Sequence, residues 1–342
     1  MPSGLESGTA SGRQDPAFVY RQRQLQNPGG IDGVAATCKT TVSSETIFKC
    51  FARKAGILVY YAVVKFSLST NWCNRRIESG EEIAKLAASL GFDEIELGYN
   101  TTDEQANGFK KSLDVIPVGS VHAFCPVPLS APQGYPELYQ LASFDEEGRK
   151  MAHFQVVRNI RFAAEVGADA VVLHMGRVKC RGLISRLDAR RRVRRGRKML
   201  DVARREIDAL IPELESCKVT LALENLPYLE GFPAEWEIGE IAGEWVRPWL
   251  DTGHDFVRAE NGWKGLCEAR MSAPQPVGLH ISDSLGGDDH LPPGKGKVDF
   301  AALKDVASGA RHLVFEPNSE VTGDELRAGL EHLKTLWCAS TT

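Results

Sequence analysis

The feature of this sequence that most restricts its fold is an alternation. Between residues 65 and 337, short apolar runs with strand character alternate eight times with segments of helical period. The runs are KFSLS (65–69), EIELGY (94–99), VGSVHAF (118–124), AVVLHMG (170–176), VTLALENL (219–226), PWLDTGH (248–254), VGLHISDS (277–284) and HLVFEPN (312–318). Helices are expected near 80–90, 102–113, 145–166, 186–211, 235–245, 263–270, 299–307 and 323–337. Strands that are apolar almost throughout are covered on both faces. Strict alternation with amphipathic helices implies parallel pairing. Eight units favour closure into a (β/α)8 barrel, the TIM barrel of the α/β class, over an open doubly wound sheet. No Gly-x-Gly-x-x-Gly follows the first run, which removes the main support for a dinucleotide-binding sheet.

The pattern starts abruptly at Val64-Lys65-Phe66. Before it, Met1 to Thr40 is rich in Gly, Ser, Gln and Thr and has no period, a composition that cannot bury enough apolar surface to order itself. A single barrel domain over 64–338 is therefore expected, preceded by a poorly structured extension, 1–63, or by residues from a misplaced start. The longest apolar run, Gly56 to Val64, falls short of the roughly 20 residues that span a bilayer, and the polar first thirty residues do not resemble a signal peptide. No membrane partner is expected. The eight cysteines are scattered without a C-x-x-C pair, which argues against thiolate zinc sites and for a reducing, cytoplasmic setting.

Seven of the eight runs carry an acidic residue or a histidine toward the end: Glu96, His122, His174, Glu224, Asp251, His280 and Glu316. The following loops add His254, Asp283, Asp288 and His290. In a barrel of this type the strand ends converge on one mouth, where catalytic groups gather. Taken singly, each residue reads better as a helix cap, a surface ion pair or a hydrogen-bonded core histidine. Together they do not. Charges that follow apolar runs such as LAL-Glu224, VGL-His280 and LVF-Glu316 are costly to bury without a shared partner. A divalent cation is such a partner. Glu224, Asp251, His280 and Glu316, from strands 5 to 8, offer three carboxylates and one imidazole. That set suits Mn²⁺ first, with Mg²⁺, Co²⁺ or Zn²⁺ as alternatives.

With these residues in place, the sequence resembles the xylose isomerase-like TIM-barrel superfamily, which holds sugar isomerases and epimerases beside endonuclease IV-type enzymes. The matching words are GFDEIELGYN, SVHAF, VVLHMG, LALENLP, LDTGHD, HISDS, DDHLPPGKGKVDF and VFEP, spread over 65 to 337. The resemblance to ketose epimerases implies one metal on Glu224, Asp251, His280 and Glu316. It also implies that Glu224 and Glu316 move protons on opposite faces of a substrate carbon. His122, His174, His254, Glu96 and Lys295 are expected to bind substrate. The resemblance to the endonuclease IV branch implies three zinc ions, with His122, His174, His254, Asp288 and His290 as additional ligands. The ending EIELGYN favours the sugar branch, and STNWCNRR departs from the nuclease pattern.

Two functions follow as expectations. The first is a metal-dependent isomerase or epimerase of a small sugar or sugar phosphate, working by proton abstraction beside a carbonyl through an enediolate. The alternative is a zinc-dependent phosphodiesterase on abasic DNA, supported by the basic stretch from Arg177 to Arg205. Charge runs of that kind are as often solvated helix faces. A formal net charge of −4 gives no general bias toward nucleic acid, which enters as a partner only under the alternative. A homo-oligomer is left open.

Overall fold

The structure is a computed structural model, and it describes residues 65–179, 186–262 and 274–338. Eight parallel strands close into a barrel: β1 (Phe66–Ser69), β2 (Glu94–Leu97), β3 (Val118–His122), β4 (Ala170–Leu173), β6 (Thr220–Glu224), β8 (Val246–Asp251), β9 (Gly278–Ile281) and β12 (His312–Phe315). Each matches one expected run. The expected extension 1–63, the helix near 263–270 and part of the basic stretch lie outside the described residues.

The period-2 alternation of the strands sorts their side chains into two cores. Outward residues, among them Val171, Leu221, Leu223, Leu250, Leu279, Leu313 and Phe315, pack under the helices. Ala170, Val172, Ala222, Trp249, Val277 and Val314 form a separate cluster inside the barrel. The Trp249 ring fills the space beside Gly278, where a Cβ would come within 2.2 Å of it. The next inward positions toward the strand ends are therefore Glu224 above Ala222, Asp251 above Trp249, His280 above Gly278 and Glu316 above Val314. Pairing of Asp251 with His280, and of Val314 with His280, keeps this layer in register.

The helices follow ordinary end rules. Helix α1 (Gly80–Ser89) is capped by the Ser79 side chain, and α2 (Asp103–Lys110) by a Thr102–Gln105 capping box. Helix α3 (Glu146–Val166) starts at Asp145 and ends at Gly167, whose φ of 79° is the left-handed C-terminal cap that glycine accepts readily. Helix α4 (Arg186–Cys217) carries most of the basic stretch, and α8 (Gly323–Cys338) closes the barrel. Among the described residues no helix is long and apolar enough to cross a membrane.

Three segments differ from expectation. The sixth strand begins at Val246 and stops at Asp251, and helix α6 (Thr252–Glu260) follows at once. Asp251 ends the strand because its Oδ1 accepts the His254 N–H at 2.8 Å and caps the helix. Helix α5 (Glu235–Ile238) is a single turn, followed by Gly239, and α7 (Lys304–Ser308) starts late. Two short antiparallel ribbons sit beyond the strand ends: β5 (Gly176–Arg177) with β7 (Gly231–Phe232), and β10 (Asp283–Leu285) with β11 (Asp288–Leu291). The second turns through Gly286 and Gly287, both at positive φ.

Candidate metal centre

The inward layer at the strand ends is a dense ionisable cluster. Glu224, Asp251, His280 and Glu316 are all buried, and one ligand atom from each lies within 4.8 Å of the others. His280 Nδ1 is 3.1 Å from Glu224 Oε1 and 3.2 Å from Glu316 Oε2. Asp251 Oδ1 accepts from the Ser282 hydroxyl as well as from the α6 N-terminus, while its Oδ2 is buried without a hydrogen-bond partner. A bare buried carboxylate oxygen is costly, and a cation would satisfy this one. Asn225 braces the same strand end. Its amide donates to the Asp251 carbonyl at 3.0 Å and accepts the Asp251 N–H at 2.7 Å.

Further histidines converge on this layer. His122 Nε2 and His174 Nε2 lie 3.1 and 2.9 Å from Glu224 Oε2. His122 donates its Nδ1–H to the Ala123 carbonyl at 2.9 Å. A neutral His122 ring would then turn its Nε2 lone pair toward a carboxylate oxygen, so a proton or a cation belongs between them. His254 and His290 show the same pattern, giving their Nδ1–H to the carbonyls of Asn225 (2.9 Å) and Glu316 (2.8 Å). In their neutral form both rings are thus set with Nε2 as the lone-pair nitrogen. With Asp289 they form a second group of ligand atoms within 4.8 Å, nearer solvent.

The electrostatics match a site built for positive charge. Burial would raise the Glu224 carboxyl, but His174 and His280, with hydrogen bonds from His122 and His174, hold it well below the usual carboxylate range. Burial would lower His280, but Glu316, Glu96 and Glu224 raise it well above the ordinary imidazole value. His290, also opposed by burial, is raised to about 9 by Glu316, Asp251 and Asp289.

The structure does not bring every expected residue to the mouth. Glu96 is fully buried inside the barrel, with its oxygens 3.1 and 3.2 Å from His280 Nε2 and a hydrogen bond from Ser120 at 2.8 Å. It sits behind His280, on the side of the ring away from Glu224 and Glu316. Lys295 is at the outer rim, exposed, 3.6 Å from Glu325. Asp288 is exposed, and its neighbour Asp289 joins His254 and His290 instead. Strand alternation would put Asp288 and His290 on one face, but His290 has a left-handed backbone (φ 58°), which breaks the period. Asp283 is a structural anchor. Its carboxylate accepts the N–H groups of Ser284, Gly294, Gly296 and Val298 at 2.7–2.9 Å and shapes the PPGKGK loop.

Sequence reasoning missed several neighbours of the centre. Asn71, just after β1, donates to Glu316 Oε1 at 3.4 Å. The Tyr99 ring stands edge-on to His122, with centroids 5.1 Å apart. Glu137 links the loop after β3 to Arg177 (Nε at 2.6 Å) and, through a short hydrogen bond, to Tyr228. Asn71 and Tyr99 sit at strand ends, the one signal that could have marked them; Glu137 lies within a long loop and carried none.

Residues 84–336 match the family described as xylose isomerase-like TIM barrel. No protein of curated function matches the chain. Solved structures share the fold. A D-tagatose 3-epimerase-like protein is 21% identical, with 80% of this chain and 96% of that chain covered and a TM-score of 0.58. A 3-keto-D-glucoside 4-epimerase from E. coli is 17% identical, with 80% and 100% covered and a TM-score of 0.57. The IOLI protein, solved with a bound zinc atom, is 14% identical, with 80% and 98% covered and a TM-score of 0.59.

Proposed function

This chain belongs to the xylose isomerase-like TIM-barrel family, and from that premise we propose that it is a metal-dependent isomerase or epimerase of a small sugar or sugar phosphate. The observation that carries the reading is the meeting of Glu224, Asp251, His280 and Glu316, with one Asp251 oxygen left bare. Three carboxylates and one imidazole suit Mn²⁺ ahead of Mg²⁺, Co²⁺ or Zn²⁺. A cation held there supplies Lewis acidity to a carbonyl oxygen and its neighbouring hydroxyl. The chain's own groups handle the proton. Glu224 and Glu316 come from β6 and from just beyond β12, so two carboxylates reach the centre from different sides. One takes a proton from the carbon beside the carbonyl, and the other, after taking up a proton from solvent, delivers that proton to the opposite face of the enediolate. In this reading Asn71 steadies Glu316 for that work, and His122, His174 and His254 bind substrate oxygens. The epimerases that share the fold support this reading by analogy of fold alone.

The test is solvent exchange. Ketoses and ketose phosphates are incubated with the protein and Mn²⁺ in heavy water, beside Glu316→Gln. The expected result is deuterium at the carbon next to the carbonyl, abolished in the variant. No exchange across the panel, with nicking of abasic DNA, overturns the proposal.

One observation favours a second reading, a zinc-dependent phosphodiesterase on abasic DNA. The group His254, Asp289 and His290 adjoins the four ligands, and His122, His174 and Glu224 form another that shares Glu224 with them. More than one ion would suit such chemistry. The basic stretch supports it less than its composition suggests, because Arg192 is fully buried in an ion pair with Glu237.

A further inference from the structure

Glu96 is a carboxylate with no access to solvent, deep in a barrel, and the proton transfer proposed above does not use it. Its partners define its task. It stands on β2, and His280 stands on β9, so their contact crosses the barrel interior past β1 and β12. His280 Nε2 lies 3.1 and 3.2 Å from the two Glu96 oxygens, and the Ser120 hydroxyl on β3 donates to Oε2 at 2.8 Å. The other ring nitrogen, Nδ1, faces Glu224, Glu316 and, at 3.9 Å, Asp251. The ring itself cannot swing away. It stacks on His122 with centroids 5.6 Å apart and an interplanar angle of 6°, and the Trp249 ring meets it edge-on at 5.2 Å.

A neutral imidazole carries one N–H donor and one lone pair, and an ionised carboxylate only accepts. A buried Glu96 carboxylate facing Nε2 therefore requires the N–H to be on Nε2. The lone pair is then on Nδ1, the nitrogen that faces the three carboxylates. The opposite tautomer would set lone pair against carboxylate inside a low-dielectric core and leave the Ser120 hydroxyl as the donor to Glu96. Outer carboxylates that fix a ligating histidine in this way are worth roughly 10–100-fold in metal affinity.

We infer that Glu96 is a positioning residue that commits His280 to bind a divalent cation through Nδ1, and that it thereby sets the affinity of the centre. The inference rests on the metal reading of the proposed function. It replaces the substrate-binding role expected for Glu96 from the sequence.

Calorimetric titration with Zn²⁺ compares the wild type with Glu96→Gln and Ser120→Ala. Glutamine keeps the shape but can present either its oxygen or its NH₂ to the ring, so the tautomer is no longer dictated. The expected result is a 10–100-fold weaker Kd in Glu96→Gln and a smaller loss in Ser120→Ala. In the Zn²⁺-loaded wild type, long-range ¹H–¹⁵N spectra of ¹⁵N-histidine-labelled protein should show His280 protonated at Nε2 and metal-bound at Nδ1. That measurement stands even if Glu96→Gln does not fold. An unchanged Kd in Glu96→Gln, or ligation of His280 through Nε2, overturns the role of Glu96 alone. A wild type that binds no divalent cation overturns the metal centre and this role with it.

Discussion

At the scale of single residues, Asp251 separates structure from chemistry most sharply. One oxygen caps α6 and accepts from Ser282, and the other is bare. An Asp251→Asn variant keeps a capping oxygen, and asparagine caps about as well as aspartate. Thermal stability of the metal-free protein should therefore change little. Metal affinity should fall by more than the 10–100-fold typical of an outer partner, as read by calorimetric titration. Equal affinity in the two proteins would remove Asp251 from the ligand set. The same residue shows the limits of reading chemistry from sequence. Its place at a strand end was legible, because an acidic group after an apolar run has to point somewhere useful. Its second task as a cap was not, since TGHDF reads equally well as the tail of a strand. Asp289 was hidden for a related reason. A left-handed residue at His290 shifts the facing of its neighbours, and no residue type in DDHL announces it. Glu96 was legible as a strand-end acid, but not as a group lying behind another ligand, because depth within a barrel is not a property of one strand.

Among the elements, the basic helix α4 explains itself through one buried side chain. Arg192 forks onto both oxygens of Glu237 at 2.7 Å and donates to the carbonyls of Leu229 and Gly231. Arg258, on α6, donates to the Tyr228 carbonyl at 2.9 Å. Together they hold the loop that follows β6 and Glu224. Arg192→Ala would leave the Glu237 charge buried without its partner, a loss of about 3–5 kcal/mol. The double variant Arg192→Met, Glu237→Leu should recover much of it, because apolar replacements of buried pairs are often neutral. Chemical denaturation of the three metal-free proteins measures both. A single variant as stable as the wild type would show that the pair does not carry the loop. From sequence this arginine is one of a run, and nothing distinguishes it from its exposed neighbours. The eight strands were readable because periodicity repeats, whereas the short helix α5 lost its expected length to Gly239 and Gly243.

At the scale of the whole molecule, the start of the barrel is closed by charge. His312 Nε2 lies 2.7 Å from Asp169, and its Nδ1 is 3.8 Å from Glu94. Arg311 pairs with Asp169 and Lys65 with Glu94. Burial would lower His312, but Asp169 and Glu94 raise it. Burial would raise Glu94 and Asp169, but their hydrogen bonds with His312, and with Lys65 for Glu94, lower both. The raised histidine stabilises fully below its unfolded value, about 6.5, and loses that contribution as pH rises through its folded value. The lowered carboxylates stabilise above their unfolded values, about 4, and lose that as pH falls. The cluster therefore contributes most between about pH 4.5 and 6.5. In metal-free protein, the Tm difference between wild type and His312→Asn should shrink from pH 6 to pH 9. A difference that is constant across that range would contradict the linkage.

The proposed function rests on four strand ends that together would seat one catalytic cation. The measurement that tests it most directly is the metal content of the purified protein after saturation with Mn²⁺ and removal of free ion, with Asp251→Asn beside it. One ion per chain is expected in the wild type, lost in the variant. Three zinc ions per chain in protein purified without chelator, or no bound metal under any loading, would contradict it.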